Sequence, residues 1–107
     1  MEKIKFRTST DENGRITTIN IGGLLVLETA LVFKNELIAI ANRLGKNVTI
    51  NVSELEEMDL SAVQLLVAFC RHLSQMKVTY QFDWDLTDEQ KSLFINVGIG
   101  IELYMQN

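Results

Sequence analysis

The chain has 107 residues, which is enough for one domain around a single hydrophobic core. With 47% hydrophobic residues and no proline, its composition is typical of a compact fold and excludes a disordered segment. The net charge of −4 repels phosphate backbones and anionic lipid alike. We therefore expect one domain over residues 1–107, with no nucleic acid partner and no insertion into a membrane.

The sequence also predicts where the protein resides. No apolar run reaches the ~20 residues that cross a bilayer. The start MEKIKFRTST lacks the hydrophobic segment of a secretory signal peptide. The single cysteine, Cys70, excludes an internal disulfide, and its neighbours Leu66 and Phe69 predict a buried thiol. We expect a cytoplasmic protein.

Two short strands are predicted at the start of the chain. The segments IKFRT and Arg15–Ile21 alternate apolar and polar residues, and Asn13-Gly14 between them favours a tight hairpin. After a glycine pair, a helix-forming stretch extends to a predicted stop at Gly45. Its apolar residues recur at helical spacing, at Ala30, Phe33, Leu37, Ile40, Ala41 and Leu44. A hairpin followed by an amphipathic helix is therefore predicted.

The second half of the chain alternates strands and helices. Val48–Val52 is a β-branched run typical of central strands, and the ELEEMD segment after it is predicted as an acidic loop. Asp59 then begins a second helix that ends near Met76, and Val78–Asp83 is a further strand. The TDEQ segment matches a capping box before a third helix. The tail IGIELYM is predicted as either a short helix or an edge strand.

The order of these elements predicts an α/β fold. Alternating strands and helices imply parallel strands joined by right-handed crossovers. We expect a small sandwich with a mixed, mostly parallel sheet of four to five strands, an N-terminal hairpin and three or four helices.

The second helix has an apolar face and a polar face. Its predicted core residues are Ala62, Leu65, Leu66, Phe69, Cys70, Leu73 and Met76. The opposite stripe carries Ser61, Gln64, Ala68, Arg71, His72 and Gln75. Asp59 is a favoured N-cap residue and Ser61 lies in the first turn, and helix capping alone accounts for both residue types. Packing does not require the Ser61 hydroxyl, which leaves it accessible to a partner.

Four apolar residues lie outside the predicted core stripes. Leu60 and Val67 lie toward the polar side of the second helix, and Leu31 and Ile38 lie away from the core stripe of the first. Single exposed apolar residues are common in small domains. If the two helices pack side by side, however, these residues form a contiguous docking patch beside Ser61.

The sequence does not predict catalytic chemistry. Ser61, His72 and Asp59 are the residue types of a triad, but Ser61 and His72 are about three helical turns apart, roughly 16 Å. His72 is the only histidine and has no second ligand at zinc-like spacing. We therefore expect a protein that is not an enzyme and that holds no metal or cofactor.

Two blocks carry a resemblance to a known family. The block GLLVLETA, Gly23–Ala30, and the block INVSELEEMDLSA, Ile50–Ala62, resemble the STAS domain of bacterial anti-sigma factor antagonists and their relatives. The second block is similar to the family's strand, loop and D-[ST]-[STA]-G signature, and the order of elements also agrees. Val26 stands where the family often has an acid, and Ala62 stands where a glycine is common.

The resemblance implies a regulatory interaction domain. In the antagonists, a partner that is both kinase and anti-sigma factor phosphorylates the Ser two positions after the Asp, and Ser61 matches that position. Such a Ser/Thr kinase carries the ATP and magnesium itself. We expect partner contacts at Glu56, Glu57, Asp59, Leu60, Ser61, Gln64 and Val67. Other branches of the family are constitutive adaptors in transporter ATPases or chemotaxis assemblies, and this alternative stays open.

Overall fold

The computed structural model describes residues 3–97, and these contain a four-stranded sheet in the order β1-β2-β3-β4. β1 (Ile4–Thr10) and β2 (Ile16–Leu25) form an antiparallel hairpin. β3 (Leu44–Met58) and β4 (Thr79–Trp84) extend the sheet with parallel pairings. The predicted α/β fold, with its mixed sheet and N-terminal hairpin, is confirmed. The element predicted for the tail lies outside the described residues.

Within residues 3–97, three α-helices alternate with the last three strands, one after each of β2, β3 and β4. A single 3₁₀ turn over Leu27–Thr29 leads into α1 (Ala30–Ile40), and α2 (Leu60–Gln75) and α3 (Asp88–Val97) come later. The predicted capping box before α3 is confirmed, because the amide of Thr87 donates to Gln90 Oε1 at 3.0 Å and the amide of Gln90 donates to Thr87 Oγ1 at 3.2 Å. None of the described helices is both long and apolar enough to cross a membrane.

One face of the sheet packs against α1 and α2. Because successive side chains of a strand point to opposite faces, alternate residues of the three parallel strands are buried. They share one core cluster with residues of both helices, which includes Ile19, Ile21, Val48, Ile50, Val52, Phe82, Phe33, Leu37, Leu66, Phe69 and Leu73. The other face of the described strands is largely polar, and there Asn51 donates to Asn20 at 2.9 Å. α1 and α2 therefore cover one side of the sheet.

The acidic segment before α2 is not a loop. β3 begins at Leu44 and continues through ELEEM to Met58, so the prediction of a loop there was wrong. These residues pair with the end of β2, with Leu55 opposite Gly23 and Met58 opposite Leu25. A bulge at Glu54, where φ is +53°, shifts the register and hides the regular alternation of a strand. Leu44, predicted to lie in the first helix, belongs to β3 instead.

The buried face of α2 also differs from the prediction. Its buried residues are Ala62, Val63, Leu66, Val67, Phe69, Cys70 and Leu73. On a helical wheel with 100° per residue, the centre of this buried face is rotated by roughly 50° from the predicted face, toward Val63 and Val67. Met76, predicted in the core, is 41% exposed because it is the C-cap residue after the last turn. Cys70 is buried and His72 is exposed, as predicted.

Candidate functional site

The candidate site lies at the edge of the sheet where β2 and β3 end. These strands are parallel, so both C-terminal ends meet at one edge, which is where open α/β sheets place functional groups. β2 leads into the 3₁₀ turn that begins at Leu27, and β3 leads through Asp59 into α2. The amide of Asp59 donates to the carbonyl of Leu25 at 3.0 Å, which holds the two connections side by side.

Asp59 joins the two connections through its side chain. Oδ1 accepts from the amide of Ser61 at 3.0 Å and from the Ser61 hydroxyl, so Asp59 caps the first turn of α2. Oδ2 accepts from the amide of Leu27 at 2.9 Å. Burial raises the pKa of this carboxyl, but hydrogen bonds from the Ser61 hydroxyl and from the amides of Leu27, Ser61 and Ala62 outweigh it and lower the pKa. The cap is therefore a charged carboxylate.

Ser61 lies in the first turn of α2, as predicted. Its side chain is partly exposed, and its hydroxyl donates to Asp59. Glu56 and Glu57, at the end of β3, are exposed. Glu54 is also exposed and accepts from Lys5 Nζ at 3.1 Å, a surface pair that contributes little to stability. The helix start thus follows directly on an acid-rich, solvated strand end.

The residues predicted to contact a partner are not all exposed. Leu60 is 38% exposed and Gln64 is exposed, both on the first turns of α2. Val67 is 4% exposed, so its predicted place on the surface was wrong. It packs into the core because the buried arc of α2 is rotated toward it. Leu31 and Ile38 of α1 are 68% and 59% exposed, in agreement with the prediction for these two residues.

Two residues at this edge were not among the predicted site residues. Leu27 is 72% exposed and supplies the amide that Asp59 binds. Thr29 is 4% exposed, and its hydroxyl donates to the carbonyl of Leu24 at 2.7 Å and accepts from the amide of Val26 at 3.0 Å. Thr29 therefore fixes the turn that carries Leu27. The sequence offered one signal for these two residues: they follow a predicted strand, and neighbouring parallel strands end at the same edge of a sheet.

A polar cleft of about 390 Å³ lies next to the site, between the end of β3 and the start of α3. Its lining includes Glu56, Glu57, Thr87 and Glu89. In the part of the chain that the structure describes, His, Cys, Asp and Glu side chains form no group of three or more that could hold a metal ion. The cleft is acidic and suits cationic or hydrogen-bond-donating groups.

The fold and this capped helix start define a small α/β domain with two helices over a mixed sheet. The family model for the STAS domain matches residues 7–81, which is more than half of the chain. The chain belongs to the STAS domain family. The position of Val26, where the family often has an acid, is 6% exposed in this structure.

Solved structures with a similar fold include anti-sigma factor antagonists. One from Mycobacterium paratuberculosis has a TM-score of 0.73 at 14% identity, over 92% of this chain and 81% of that chain. The Bacillus cell fate determinant SpoIIAA in its phosphorylated form has a TM-score of 0.62 at 16% identity, over 90% and 86% of the two chains. The anti-sigma factor antagonist SpoIIAA in its unphosphorylated form has a TM-score of 0.66 at 16% identity, over 90% and 83%. No curated protein matches the sequence.

Proposed function

We propose that this chain is a regulatory protein-interaction domain, without enzymatic activity, that presents the start of α2 to a protein partner. The observation that carries the proposal is the geometry at Asp59, which holds the partly exposed Ser61 hydroxyl on the first turn of α2. The exposed side chains of Leu27 and Leu60 belong to the two segments that Asp59 joins. Apolar groups beside charged ones are the usual make-up of a docking surface.

Phosphorylation of Ser61 is the proposed switch. An anti-sigma-type Ser/Thr kinase would transfer the γ-phosphoryl group of its own ATP to Ser61 Oγ, and the hydroxyl proton would pass to a base of the kinase. The solved phosphorylated form of SpoIIAA, which has a similar fold, supports this proposal.

The effect of the phosphate would be local. It adds about −1.5 to −2 charge and ends the donation from the Ser61 hydroxyl to Asp59. The new charge would lie close to the Asp59 carboxylate and near the acidic end of β3, so it would repel an acidic partner surface. The positive end of the helix dipole favours an anion at this first turn. We expect partner affinity to change more than the stability of the fold.

Partner capture with matched variants tests the switch. Tagged wild type, Ser61→Ala and Ser61→Asp are used to isolate partners from cells of the source organism, and affinities are then measured by titration. Ser74→Asp is the control, because Ser74 is exposed on the last turns of α2. We expect wild type, Ser61→Ala and Ser74→Asp to retain a kinase that Ser61→Asp binds at least about tenfold more weakly. Identical partners and affinities for all four proteins would refute the switch.

A constitutive adaptor in a transporter ATPase or a chemotaxis assembly is the second candidate function. The observation that favours it is the buried Val26, because the family's kinase contacts partly involve an acid at that position. Under this function Ser61→Ala and Ser61→Asp bind the same partner equally, and the protein isolated from cells has an unmodified mass. Permease genes beside this gene favour the adaptor, and genes for a kinase and a sigma factor favour the switch.

A further inference from the structure

The groove between α1 and α2 is a second candidate surface, and its lining does not include Ser61. Its volume is about 420 Å³, and it is lined by Leu37 and Ile38 of α1 and by Leu65, Ala68 and Phe69 of α2, among others. Leu37 and Phe69 are buried and form its floor, whereas Ile38 is 59% exposed and Ala68 is also exposed. The groove is therefore apolar at its base and open to solvent.

Exposed apolar side chains extend this groove along α1. Leu31 and Ile38 are seven residues apart, which places them on one side of the helix two turns from each other. Leu27 continues the line at the preceding 3₁₀ turn and is 72% exposed. An apolar line of this length, unlike a single exposed residue, marks an interaction surface.

The charged groups at the groove are positive. Lys34 supplies the charge among the described lining residues, which also include His72, and none of them is acidic. Arg71 is exposed next to His72, and α2 contains no Asp or Glu although the chain has a net charge of −4. Glu36, the acid of α1, lines a different cleft together with Ile4 of β1. The groove is thus a basic and apolar strip on an acidic protein.

We propose that this groove binds an amphipathic helix of a partner protein that carries apolar anchors and acidic flanks. Helix-in-groove recognition uses apolar side chains at positions i, i+3 or i+4, and i+7, and the exposed residues Leu31 and Ile38 of α1 form an i, i+7 pair along the groove. α1 has 11 residues, so the groove accommodates about three turns, roughly 16 Å. Carboxylates on the flanks of the bound helix pair with Lys34 and Arg71.

Charge argues against a second copy of this chain as the occupant. Two copies that met through this face in a symmetric dimer would bring Lys34 and Arg71 of each copy together, and like charges across an interface are unfavourable. The acidic partner helix neutralises the same groups. This inference goes beyond the proposed function, because Ser61 and Asp59 do not line the groove.

Selection from a peptide library tests the inference. Helical peptides of about four turns, with randomised surface positions, are displayed and selected against the full-length protein, and binding of the enriched peptides is measured by fluorescence anisotropy. We expect enriched sequences to combine the apolar spacing with Asp or Glu on the flanks. Ala68→Glu should weaken their binding at least about tenfold, and Lys34→Glu should weaken it severalfold.

Controls separate the groove from the fold and from the switch. Ser74→Glu adds the same charge on the far side of α2 and should leave peptide binding unchanged, and circular dichroism should show that all variants remain folded. Ser61→Ala, which removes the proposed phosphorylation site without adding a charge, should also bind the peptides normally. Three outcomes would overturn the proposal: the selection enriches basic peptides, it enriches none, or the enriched peptides still bind Ala68→Glu. Self-association of the wild type that Ala68→Glu abolishes would overturn it in favour of a second copy.

Discussion

The carboxylate of Asp59 accepts a hydrogen bond from the backbone amide of Leu27 at 2.9 Å, across 32 positions in the chain. Its other oxygen binds the amide of Ser61 and caps α2. One side chain therefore fixes both the start of α2 and the turn that follows β2. The parallel pairing of β2 with β3 is what brings Leu27 within reach. Ser61 and Leu27 thus belong to one surface, and changes at Asp59 should disturb both.

Replacing Asp59 should reduce stability. Asp59→Ala removes a helix cap and the acceptor for Leu27, so we expect the free energy of unfolding to fall by about 1–3 kcal/mol. Asp59→Asn retains one oxygen acceptor, so its free energy of unfolding should fall by less. Urea denaturation at neutral pH measures both changes. Asp83→Ala, at an exposed carboxylate of β4, is the matched control and should change stability by less than about 0.5 kcal/mol. Equal losses in Asp59→Ala and Asp83→Ala would contradict the role of the cap.

The pH dependence of stability should reflect the same carboxylate. The pKa of Asp59 is lowered in the folded protein from its ordinary value of 3.8, so the folded state favours the charged form. The resulting stability is fully present above about pH 4, near the unfolded pKa, and is lost as the pH falls through the lower folded pKa. We expect the gap in unfolding free energy between wild type and Asp59→Asn to narrow below about pH 4. Denaturation at a series of pH values measures this gap, and a gap that stays constant would rule out the assignment.

The hydroxyl of Thr29 should matter more than its methyl group. Thr29→Val keeps the shape of the side chain but leaves the carbonyl of Leu24 and the amide of Val26 without this buried partner. We expect a loss of about 1–3 kcal/mol in the free energy of unfolding. Thr29→Ser retains the hydroxyl and should recover part of that loss. Thermal or urea denaturation compares the three proteins, and a Thr29→Ser variant less stable than Thr29→Val would contradict the prediction.

The glycine pair in β2 should not tolerate a side chain. Gly23 has a φ of +82°, and a Cβ there would lie 2.5 Å from the carbonyl oxygen of Lys3. A Cβ at Gly22 would lie 2.3 Å from the carbonyl oxygen of Ser53. We expect Gly22→Ala and Gly23→Ala each to lower the free energy of unfolding by more than about 1 kcal/mol. Gly45→Ala is the control, because its nearest contact would be an ordinary 3.4 Å. Stability of all three variants close to that of wild type would refute the close approach.

The start of α2 was predictable because its signals are local. An N-cap carboxylate two residues before a Ser, followed by an apolar run, identifies a helix start without knowledge of the fold. The contact between Asp59 and Leu27 was not predictable in this way, because it depends on strand pairing. Thr29 was overlooked for the same reason, since its importance comes from burial beneath the turn.

Two of the wrong predictions have separate physical causes. The ELEEM segment is a strand whose alternation is broken by the bulge at Glu54, so periodicity could not identify it. Val67 is buried because α2 is apolar around most of its first three turns, and periodicity then does not determine which direction faces the sheet. In both cases the contact with neighbouring strands, and not the local sequence pattern, determines the structure: it sets the strand conformation of ELEEM and the buried side of α2.

The parallel direction of β2, β3 and β4 has a further consequence for how partners approach. One edge of the sheet collects exposed carboxylates that follow the strand ends, among them Glu28, Glu56, Glu57, Asp85, Asp88 and Glu89. Where the same strands begin, the exposed cations Arg15, Arg43, Lys46 and Lys77 outnumber the exposed acids Asp11 and Glu12. The domain is therefore an electric dipole along its strands. Its field orients a charged protein that diffuses toward the domain before the two make contact. Added salt screens this field and lowers the association rate.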